Sequence, residues 1–364
     1  MRRVDPRAAG LAIGAPVLAV LFAALLSSIA LVISGSSPIE TFQSIVDYGT
    51  RPHNLIEIVN KSVTYYLSGL AVAIGFRMNL FNIGVDGQYR IAAFAAAVVG
   101  AAVPLPGVLR IVLVILVAVV VGALWAGLAA VLKVTRGVSE VISTIMLNAI
   151  AGGLVFYFLS PERLGVQATS NQIRTELLPA DSWFPNFALS DGTLYGFVLV
   201  AIGCGAAYWV LLNRTRFGFD LRATGLSESA AVASGVNVKR MVVASMLLSG
   251  GVAGLVGLPV LLSDTHYYGQ DFPLGYGFTG IAIALLGRNH PVGIAFGALL
   301  WSFLERSSLI LDIQGVPKEI VTIMQGVTVL SVVIAYELVR RFGLVRQQRR
   351  VAAELSAQGA EARA

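Results

Sequence analysis

Polar side chains interrupt an apolar part of the chain at residues 81–90, which read FNIGVDGQYR. The polar and flexible residues of this segment are Asn82, Gly84, Asp86, Gly87, Gln88 and Arg90. Glycine lets a backbone leave the helix, and amide side chains carry both hydrogen-bond donors and acceptors. Lipid tolerates no unpaired backbone group, so we expect a broken helix that is buried in protein or beside a wet solute path. An ordinary cytoplasmic turn is the alternative.

A second segment resembles the first. Residues 273–280 read PLGYGFTG, and within them Gly275 begins a stretch similar to the one that begins at Gly84. We expect the two segments to face each other, with Tyr276 and Thr279 opposite the amide cluster. Amide donors and acceptors suit a neutral polar solute, and Arg90 is expected to balance the charge of Asp86.

Composition places these segments in a membrane. Apolar residues make up 56% of the 364 residues and charged residues 13%, with a mean hydropathy of +0.79. Soluble proteins carry about 25% charged residues, so the chain is predicted to be an all-α polytopic membrane protein with about ten transmembrane helices. The apolar segments lie at 11–33, 62–79, 88–103, 107–132, 141–159, 192–212, 241–262, 277–287, 292–306 and 319–338. The first is too long for a signal peptide core and is interpreted as a retained span, whereas the eighth is short for a full span.

Basic residues predict the orientation. With the N-terminus inside, 19 of the 26 Lys and Arg residues fall in cytoplasmic segments and 7 fall outside. The positive-inside rule therefore places both termini in the cytoplasm, and it accounts for the net charge without a nucleic-acid partner. We expect one transmembrane domain at 1–340 and a polar, poorly ordered cytoplasmic tail at 341–364.

Internal similarity predicts inverted repeats. EVISTIM at 140–146 and EIVTIM at 319–324 open the fifth and tenth apolar segments, which cross in opposite directions in this topology. A weaker pair, GALW and GALLW, lies in the fourth and ninth segments. The repeat halves would span about 62–160 and 241–340. Inverted repeats with interrupted helices are typical of transporters, although chance similarity of apolar sequence is the alternative.

The cytoplasmic loop 213–240 contains a predicted short helix. Ser227 is placed to cap its N-terminus, Leu226 to pack on Ala231 as a hydrophobic staple, and Gly235 to end it. A helix of about two turns is not stable alone. We therefore expect a docking partner, with a solvated linker helix as the alternative.

This loop carries a family resemblance. Glu228, Ala230, Ala231 and Gly235 resemble the cytoplasmic coupling motif of permease subunits in binding-protein-dependent ABC importers. Four segments resemble the ribose and branched-chain amino acid branch of those permeases: NIGVDGQ (82–88), VSEVISTIMLN (138–148), LRATGLSESAAVASGVNV (221–238) and GIAIALLG (280–287). The likeness covers about residues 60–340 and is closest to nucleoside permeases that use a Bmp-type substrate-binding lipoprotein. Asp86 departs from it, because related nucleoside permeases usually have Glu there.

The resemblance implies a role and partners. The chain would be a non-enzymatic permease subunit of the bacterial cytoplasmic (inner) membrane that moves a nucleoside inward. ATP and magnesium would bind a separate ABC ATPase, with no cofactor on this chain, beside a second related permease and an extracytoplasmic substrate-binding lipoprotein. The implied pathway residues are Asn82, Asp86, Gln88, Asn148 and Tyr276. The implied ATPase-coupling residues are Arg222, Gly225, Glu228, Ala230, Ala231 and Gly235. Ribose-like sugars, purines and autoinducer-type sugars are alternative solutes.

Missing motifs narrow the alternatives. The sequence has no G-x-x-x-x-G-K-[ST] motif, so the chain cannot be its own P-loop ATPase. Its histidines are scattered without metal-binding spacing. The remaining alternative is an ion-driven secondary transporter, which the repeats also allow. Its ion carriers would be Asp86, Glu140 or Glu305, but all three lie near predicted span ends.

Overall fold

The structure is a computed structural model that describes residues 6–317 and 319–361. The predicted cytoplasmic start at residues 1–5, Lys318 and the last residues of the predicted tail, 362–364, lie outside the described residues. The α-helices are α1 (Pro6–Ile33), α2 (Pro38–Gly49), α3 (Pro52–Phe76), α4 (Val85–Ala102), α5 (Gly107–Arg136), α6 (Glu140–Phe158), α7 (Phe197–Arg214), α8 (Arg216–Leu226), α9 (Glu228–Ala233), α10 (Val238–Gly254), α11 (Leu258–Ser263), α12 (Tyr276–Leu286), α13 (Pro291–Ile313) and α14 (Glu319–Glu361). The strands are β1 (Val166–Thr169), β2 (Gln172–Arg174), β3 (Asn186–Leu189) and β4 (Gly192–Tyr195).

Each of the ten predicted spans overlaps at least one helix, which confirms the polytopic all-α membrane class. Within the described residues, six spans are long and apolar enough to cross a bilayer alone: Gly107–Arg136, Glu140–Phe158, Phe197–Arg214, Val238–Ser263, Pro291–Ile313 and Glu319–Val339. Ala19–Ile33 and Pro38–Gly49 form a bent pair that would make a seventh. α12 has 11 residues, or about 16 Å of helix, about half of the hydrocarbon core.

The structure differs from the sequence expectation in three regions. The stretch after α6 forms two antiparallel hairpins, β1–β2 and β3–β4. The sixth span consequently begins at Phe197, because residues 192–195 form β4. The predicted poorly ordered tail is helical in its described part, since α14 continues to Glu361.

The chain divides into two compact units. One comprises Met1–Asp47 and Ser307–Ala364, and the other comprises Tyr48–Arg306. In the first unit α1 packs along α14, and the Ser307 hydroxyl donates to the carbonyl of Ile45 at 3.1 Å. The second unit holds α3 to α12 and the functional residues discussed below.

The second unit shows reciprocal packing between the predicted repeat halves. α12 of the second half packs on α3 of the first, and α10 of the second half packs on α4 and α5 of the first. The crossing of α5 and α10 is very close, because a Cβ on Gly122 would lie 2.3 Å from the carbonyl oxygen of Gly250. Small residues allow such approach between membrane helices. The halves are thus intertwined rather than separate.

Candidate functional site

Two helix starts meet in the second unit, one from each predicted repeat half. α4 begins at Val85 after a break at 77–84, and α12 begins at Tyr276. The Asp86 carboxylate accepts hydrogen bonds from the backbone N–H of Gly275 at 2.9 Å and of Gly277 at 3.4 Å. We call residues 82–88 and 273–280 together the Asp86 junction. The prediction that these two segments face each other is confirmed.

Glycine makes this approach possible. A Cβ on Gly277 would lie 2.3 Å from the backbone nitrogen of Asp86 and 2.7 Å from its Cα. Gly275, just before α12, has a φ of +85°, in the left-handed region that favours glycine. The two glycines thus let the start of α12 bring its free N–H groups to a carboxylate.

The amide side chains of Asn82 and Gln88 hydrogen-bond each other. Asn82 Nδ2 donates to Gln88 Oε1 at 3.0 Å, and Gln88 Nε2 donates back to Asn82 Oδ1 at 2.9 Å. Asn82 also donates to Ser249 Oγ at 2.8 Å and accepts from the N–H of Gly84 at 3.1 Å. Both amide hydrogens of Asn82 and both lone pairs of its oxygen are therefore in use. Asn82 and Gln88 are each 1% exposed, and through Asn82 this pair binds the backbone just before α4.

Asn148 supports the break from α6. Its Oδ1 accepts from the N–H of Gly87 at 2.8 Å, and its Nδ2 donates to the carbonyl of Ile83 at 2.9 Å. One side chain thus pairs a donor and an acceptor that the helix interruption leaves open. The structure brings Asn148 to the same junction as Asn82, Asp86 and Gln88.

Tyr276 lies in an aromatic group beside the junction. Its ring packs edge-on against Tyr65, with centroids 5.5 Å apart, and lies 5.7 Å from Tyr89. Its carbonyl accepts from Ser68 Oγ at 2.7 Å, while the Tyr89 hydroxyl donates to the carbonyl of Pro273 at 2.7 Å. The tyrosines are nearly fully buried. They fix the start of α12 against α3 and α4.

Arg90 does not balance Asp86 as predicted. No ion pair between the two is found among the described residues. Arg90 instead lies beside Gly152 and near the side chain of Tyr268. The N–H groups at the start of α12 supply the partners of Asp86, because a helix N-terminus stabilises a carboxylate.

The two other acidic candidates are ion-paired. Glu140 Oε2 lies 2.6 Å from Lys133 Nζ. Glu305 Oε1 lies 3.3 Å from Lys61 Nζ, and Glu305 also accepts from the Tyr65 hydroxyl. A carboxylate held by a fixed cation is poorly suited to carry an ion through a transport cycle.

Residues 213–240, the predicted cytoplasmic segment, contain the expected capped helix. Ser227 Oγ accepts from the N–H of Ala230 at 3.3 Å and caps α9. Gly235 follows the helix with a φ of +82°, and Val236 N–H bonds back to the carbonyl of Ala231 at 3.0 Å. This is a Schellman-type end, for which glycine is the usual residue.

Parts of the predicted coupling surface point elsewhere. Leu226 is 89% exposed and does not staple onto Ala231, which is itself 2% exposed. Since α8 ends at Leu226, the chain turns there and carries that side chain away from α9. Gly225 is packed, because a Cβ there would lie 2.4 Å from the carbonyl oxygen of Arg77.

The remaining coupling residues differ in exposure. Glu228, Ala230 and Gly235 are exposed, whereas Arg222 is partly buried. Arg222 Nη1 is buried without a hydrogen-bond partner in the described structure. A notch of about 370 Å³ lies beside Gly235, and Arg216 and Arg240 contribute to its wall.

Several residues of the junction were not predicted. Ser249 accepts from Asn82 and donates to the carbonyl of Ala71 at 2.6 Å, joining α10 to α3. Ser68 and Tyr89 hold the start of α12. A serine in the run SGG within an apolar span was the available signal for Ser249, since small polar residues often join membrane helices.

Comparison with known proteins identifies the family. Residues 54–333 match the family described as the branched-chain amino acid transport system permease component. The chain belongs to this permease family. The match includes the Asp86 junction and the cytoplasmic segment, and it confirms the resemblance seen in the sequence.

Named relatives extend over most of this permease. It is 33% identical over 327 residues to the guanosine ABC transporter permease protein NupP of Bacillus subtilis, covering 89% of this chain and 93% of the relative. It is 32% identical over 378 residues to the glucose ABC transporter permease protein TsgB13 of Haloferax volcanii, covering 99% and 98%. It is 28% identical over 331 residues to the nucleoside ABC transporter permease protein NupB of Lactococcus lactis, covering 88% and 90%.

Proposed function

We propose that this permease is the membrane-spanning subunit of an ATP-driven importer and moves a nucleoside inward. The observation that carries the proposal is the similarity to the guanosine permease NupP across 89% of the chain. The nucleoside permease NupB adds support. The Asp86 junction also fits a neutral solute. The Asp86 carboxylate already accepts hydrogen bonds from backbone N–H groups of the protein, so it does not serve as the counter-charge of an ionic solute.

In this proposal the predicted pathway residues position the helices that line the solute path. Asn82 and Asn148 pair with the interrupted backbone, and Gln88 pairs with the Asn82 side chain, so together they hold the start of α4 in place beside the solute. Asp86 and Tyr276 join the two repeat halves across the start of α12. In this proposal the solute passes next to the junction, and movement between the halves changes its access.

The cytoplasmic segment is proposed to receive the force from an ABC ATPase. Glu228, Ala230 and Gly235 form its exposed face, while Ala231 and Gly225 anchor it to the permease. ATP and magnesium would bind the ATPase, and this chain would perform no catalysis. Both termini are proposed to lie in the cytoplasm of a bacterial cell, with the permease in the inner membrane.

Further subunits complete the proposed importer. A second related permease would form a pair with this chain, and a substrate-binding lipoprotein would deliver the nucleoside from outside. The region of the two hairpins is suited to meet that protein, since β3 exposes Phe187 and Leu189 and the link between the hairpins exposes Trp183 on the proposed exterior side.

The ion-driven alternative has weaker support. Each acidic residue that could carry an ion has a partner: Asp86 has backbone N–H groups, Glu140 has Lys133, and Glu305 has Lys61. A sugar importer is the stronger second candidate, because the glucose permease TsgB13 is 32% identical across 99% of the chain.

Uptake of labelled guanosine and uridine, with and without this gene, tests the proposal. One culture receives an ionophore that collapses ion gradients while ATP is maintained, and another is depleted of ATP. We expect gene-dependent uptake that survives the ionophore and stops without ATP. Unlabelled glucose and ribose serve as competitors and should leave nucleoside uptake unchanged.

Other outcomes have clear meanings. Uptake that stops with the ionophore would contradict ATP-driven transport and favour the ion-coupled alternative. Gene-dependent uptake of labelled glucose, with no uptake of nucleoside, would contradict the proposed substrate while preserving the ABC permease.

A further inference from the structure

An apolar groove of about 610 Å³ lies on the side of the second unit, between α3, α7 and α13. Its walls include Tyr66, Ala201, Gly205, Trp209, Val292 and Phe296. The Tyr66 side chain reaches α7 because Gly205 has no Cβ, which would lie 1.9 Å from the tyrosine hydroxyl. The volume is within the roughly 300–1,000 Å³ of typical small-ligand sites. The groove is therefore large enough for part of a small amphiphile.

The length of the groove matches one leaflet. Its lining on α7 runs from Val198 to Trp209, or about 16 Å at 1.5 Å per residue. Half of a 30 Å hydrocarbon core is about 15 Å. A spanning helix of another subunit would need the whole core. The dimensions thus favour an acyl chain over a second helix.

One end of the groove has the chemistry of a membrane–water interface. The guanidinium of Arg214 lies 5.4 Å from the centre of the Trp209 ring, at the end of α7. The Tyr208 hydroxyl bonds the carbonyl of Asn289 at 2.7 Å, which ties this end to the turn that precedes α13. Tryptophan and arginine at such a position anchor to lipid headgroups.

A second apolar groove provides a contrast. It measures about 530 Å³ and lies between α5 and α10, lined by residues such as Val119, Leu247 and Leu255. Its described lining contains neither an aromatic ring nor a charged residue. The α3–α7–α13 groove differs from it in having aromatic lining residues, one of which, Trp209, lies beside the guanidinium of Arg214.

We propose that the α3–α7–α13 groove binds one acyl chain of an anionic phospholipid, whose phosphate contacts Arg214. In the proposed orientation the lipid belongs to the inner leaflet. Arg214 supplies the preference for an anionic headgroup, since a basic residue near such a surface is worth about 1 kcal/mol. The walls contributed by α3, α7 and α13 hold the chain.

Native mass spectrometry of the purified full-length chain tests this assignment, with dioleoyl phosphatidylglycerol and dioleoyl phosphatidylcholine as probes. Wild type should retain phosphatidylglycerol in preference to phosphatidylcholine. Arg214→Gln should weaken phosphatidylglycerol binding roughly fivefold, which corresponds to about 1 kcal/mol, and leave phosphatidylcholine unchanged. Ala206→Phe fills the groove and should weaken both lipids.

Matched controls separate the site from general effects. Arg136→Gln removes an exposed arginine at the end of another spanning helix, and Ala207→Phe adds the same ring on α7 outside the groove lining. Both should bind lipid as wild type does. Ala206→Leu replaces Ala206→Phe if the larger variant does not fold.

Two results would overturn the proposal. Lipid binding by Arg214→Gln and Ala206→Phe equal to that of wild type would show that neither headgroup nor chain occupies the site. A change in oligomeric mass on filling the groove, without a change in lipid binding, would assign the groove to another subunit.

Discussion

Asp86, in the first turn of α4, accepts a hydrogen bond of 2.9 Å from the backbone N–H of Gly275, which lies 189 residues later at the start of α12. This bond joins the two predicted repeat halves through one side chain. It also places a carboxylate at a helix N-terminus, where negative charge is stabilising. The stability of the permease should therefore depend on the acceptor at this position.

Asp86→Ala should lower the free energy of unfolding by about 1–3 kcal/mol, because two buried or partly buried N–H groups lose their acceptor. Asp86→Asn keeps an oxygen in place and should cost less. Thermal unfolding of the purified permease in detergent measures both variants. Equal stability of Asp86→Ala and wild type would contradict a structural role for this bond.

Gly277→Ala should prevent the close approach of α12 to α4. The new Cβ would lie 2.3 Å from the nitrogen of Asp86, so the helices must separate. We expect little folded protein in the membrane and loss of uptake. Gly153→Ala is the control, since a Cβ there meets nothing within 4 Å. Normal expression and uptake of the Gly277 variant would show that the junction is looser than described.

Gly235→Val should uncouple ATP hydrolysis from uptake. Gly235 has a φ of +82° in open space, so the substitution strains the backbone without a steric clash. The strain of roughly 1–2 kcal/mol should unwind the end of α9. Gly235→Asn should retain coupling, because asparagine tolerates this conformation. ATPase activity and uptake of the assembled importer are compared; coupled transport in the valine variant would exclude this role.

His266 should make the segment that follows α11 sensitive to acid. Its ring stacks on Trp183 with centroids 3.9 Å apart, and burial lowers the pKa of His266 below its ordinary value. The folded state therefore prefers the neutral ring, and the unfolded state binds the proton first as the pH falls below about 6.5. Stability supplied by the stack is present above that pH and decreases below it.

Tryptophan fluorescence between pH 7 and pH 5.5 measures this effect. Trp183 should become more exposed on acidification. His266→Asn does not titrate in this range and accepts the positive φ of 60° at this position, so its signal should stay constant. An identical pH response in both proteins would assign the change to another group.

Local features of the site could be predicted from the sequence. The polar segment 81–90 signals the break before α4, although the left-handed φ of +58° belongs to Asn79, while Gly84 is right-handed and Gly87 lies within α4. The ends of α9 follow from Ser227 and Gly235. In each case the decisive hydrogen bonds or dihedral angles lie within a few residues of the signal. The ten helical segments were recognisable for the same reason, since long apolar runs are local patterns.

Distant partners could not be predicted in the same way. The sequence shows that Asp86 is acidic, but its acceptor role depends on where α12 begins. Arg90 is four residues from Asp86 and was the natural partner on sequence alone, yet it turns toward Tyr268. The short strands β1 to β4, of three or four residues, carry too little alternation to be recognised.

The meeting of α4 and α12 has an electrical consequence. Each helix start carries about half of a positive elementary charge, so two starts together contribute about one. Asp86 lies in the first turn of one and bonds to the other, and its single negative charge offsets that sum. The Asp86 junction therefore carries almost no net charge. For the proposed importer, this means that an uncharged solute beside the junction would meet no fixed charge, whereas an ion would find no counter-charge to replace its hydration shell.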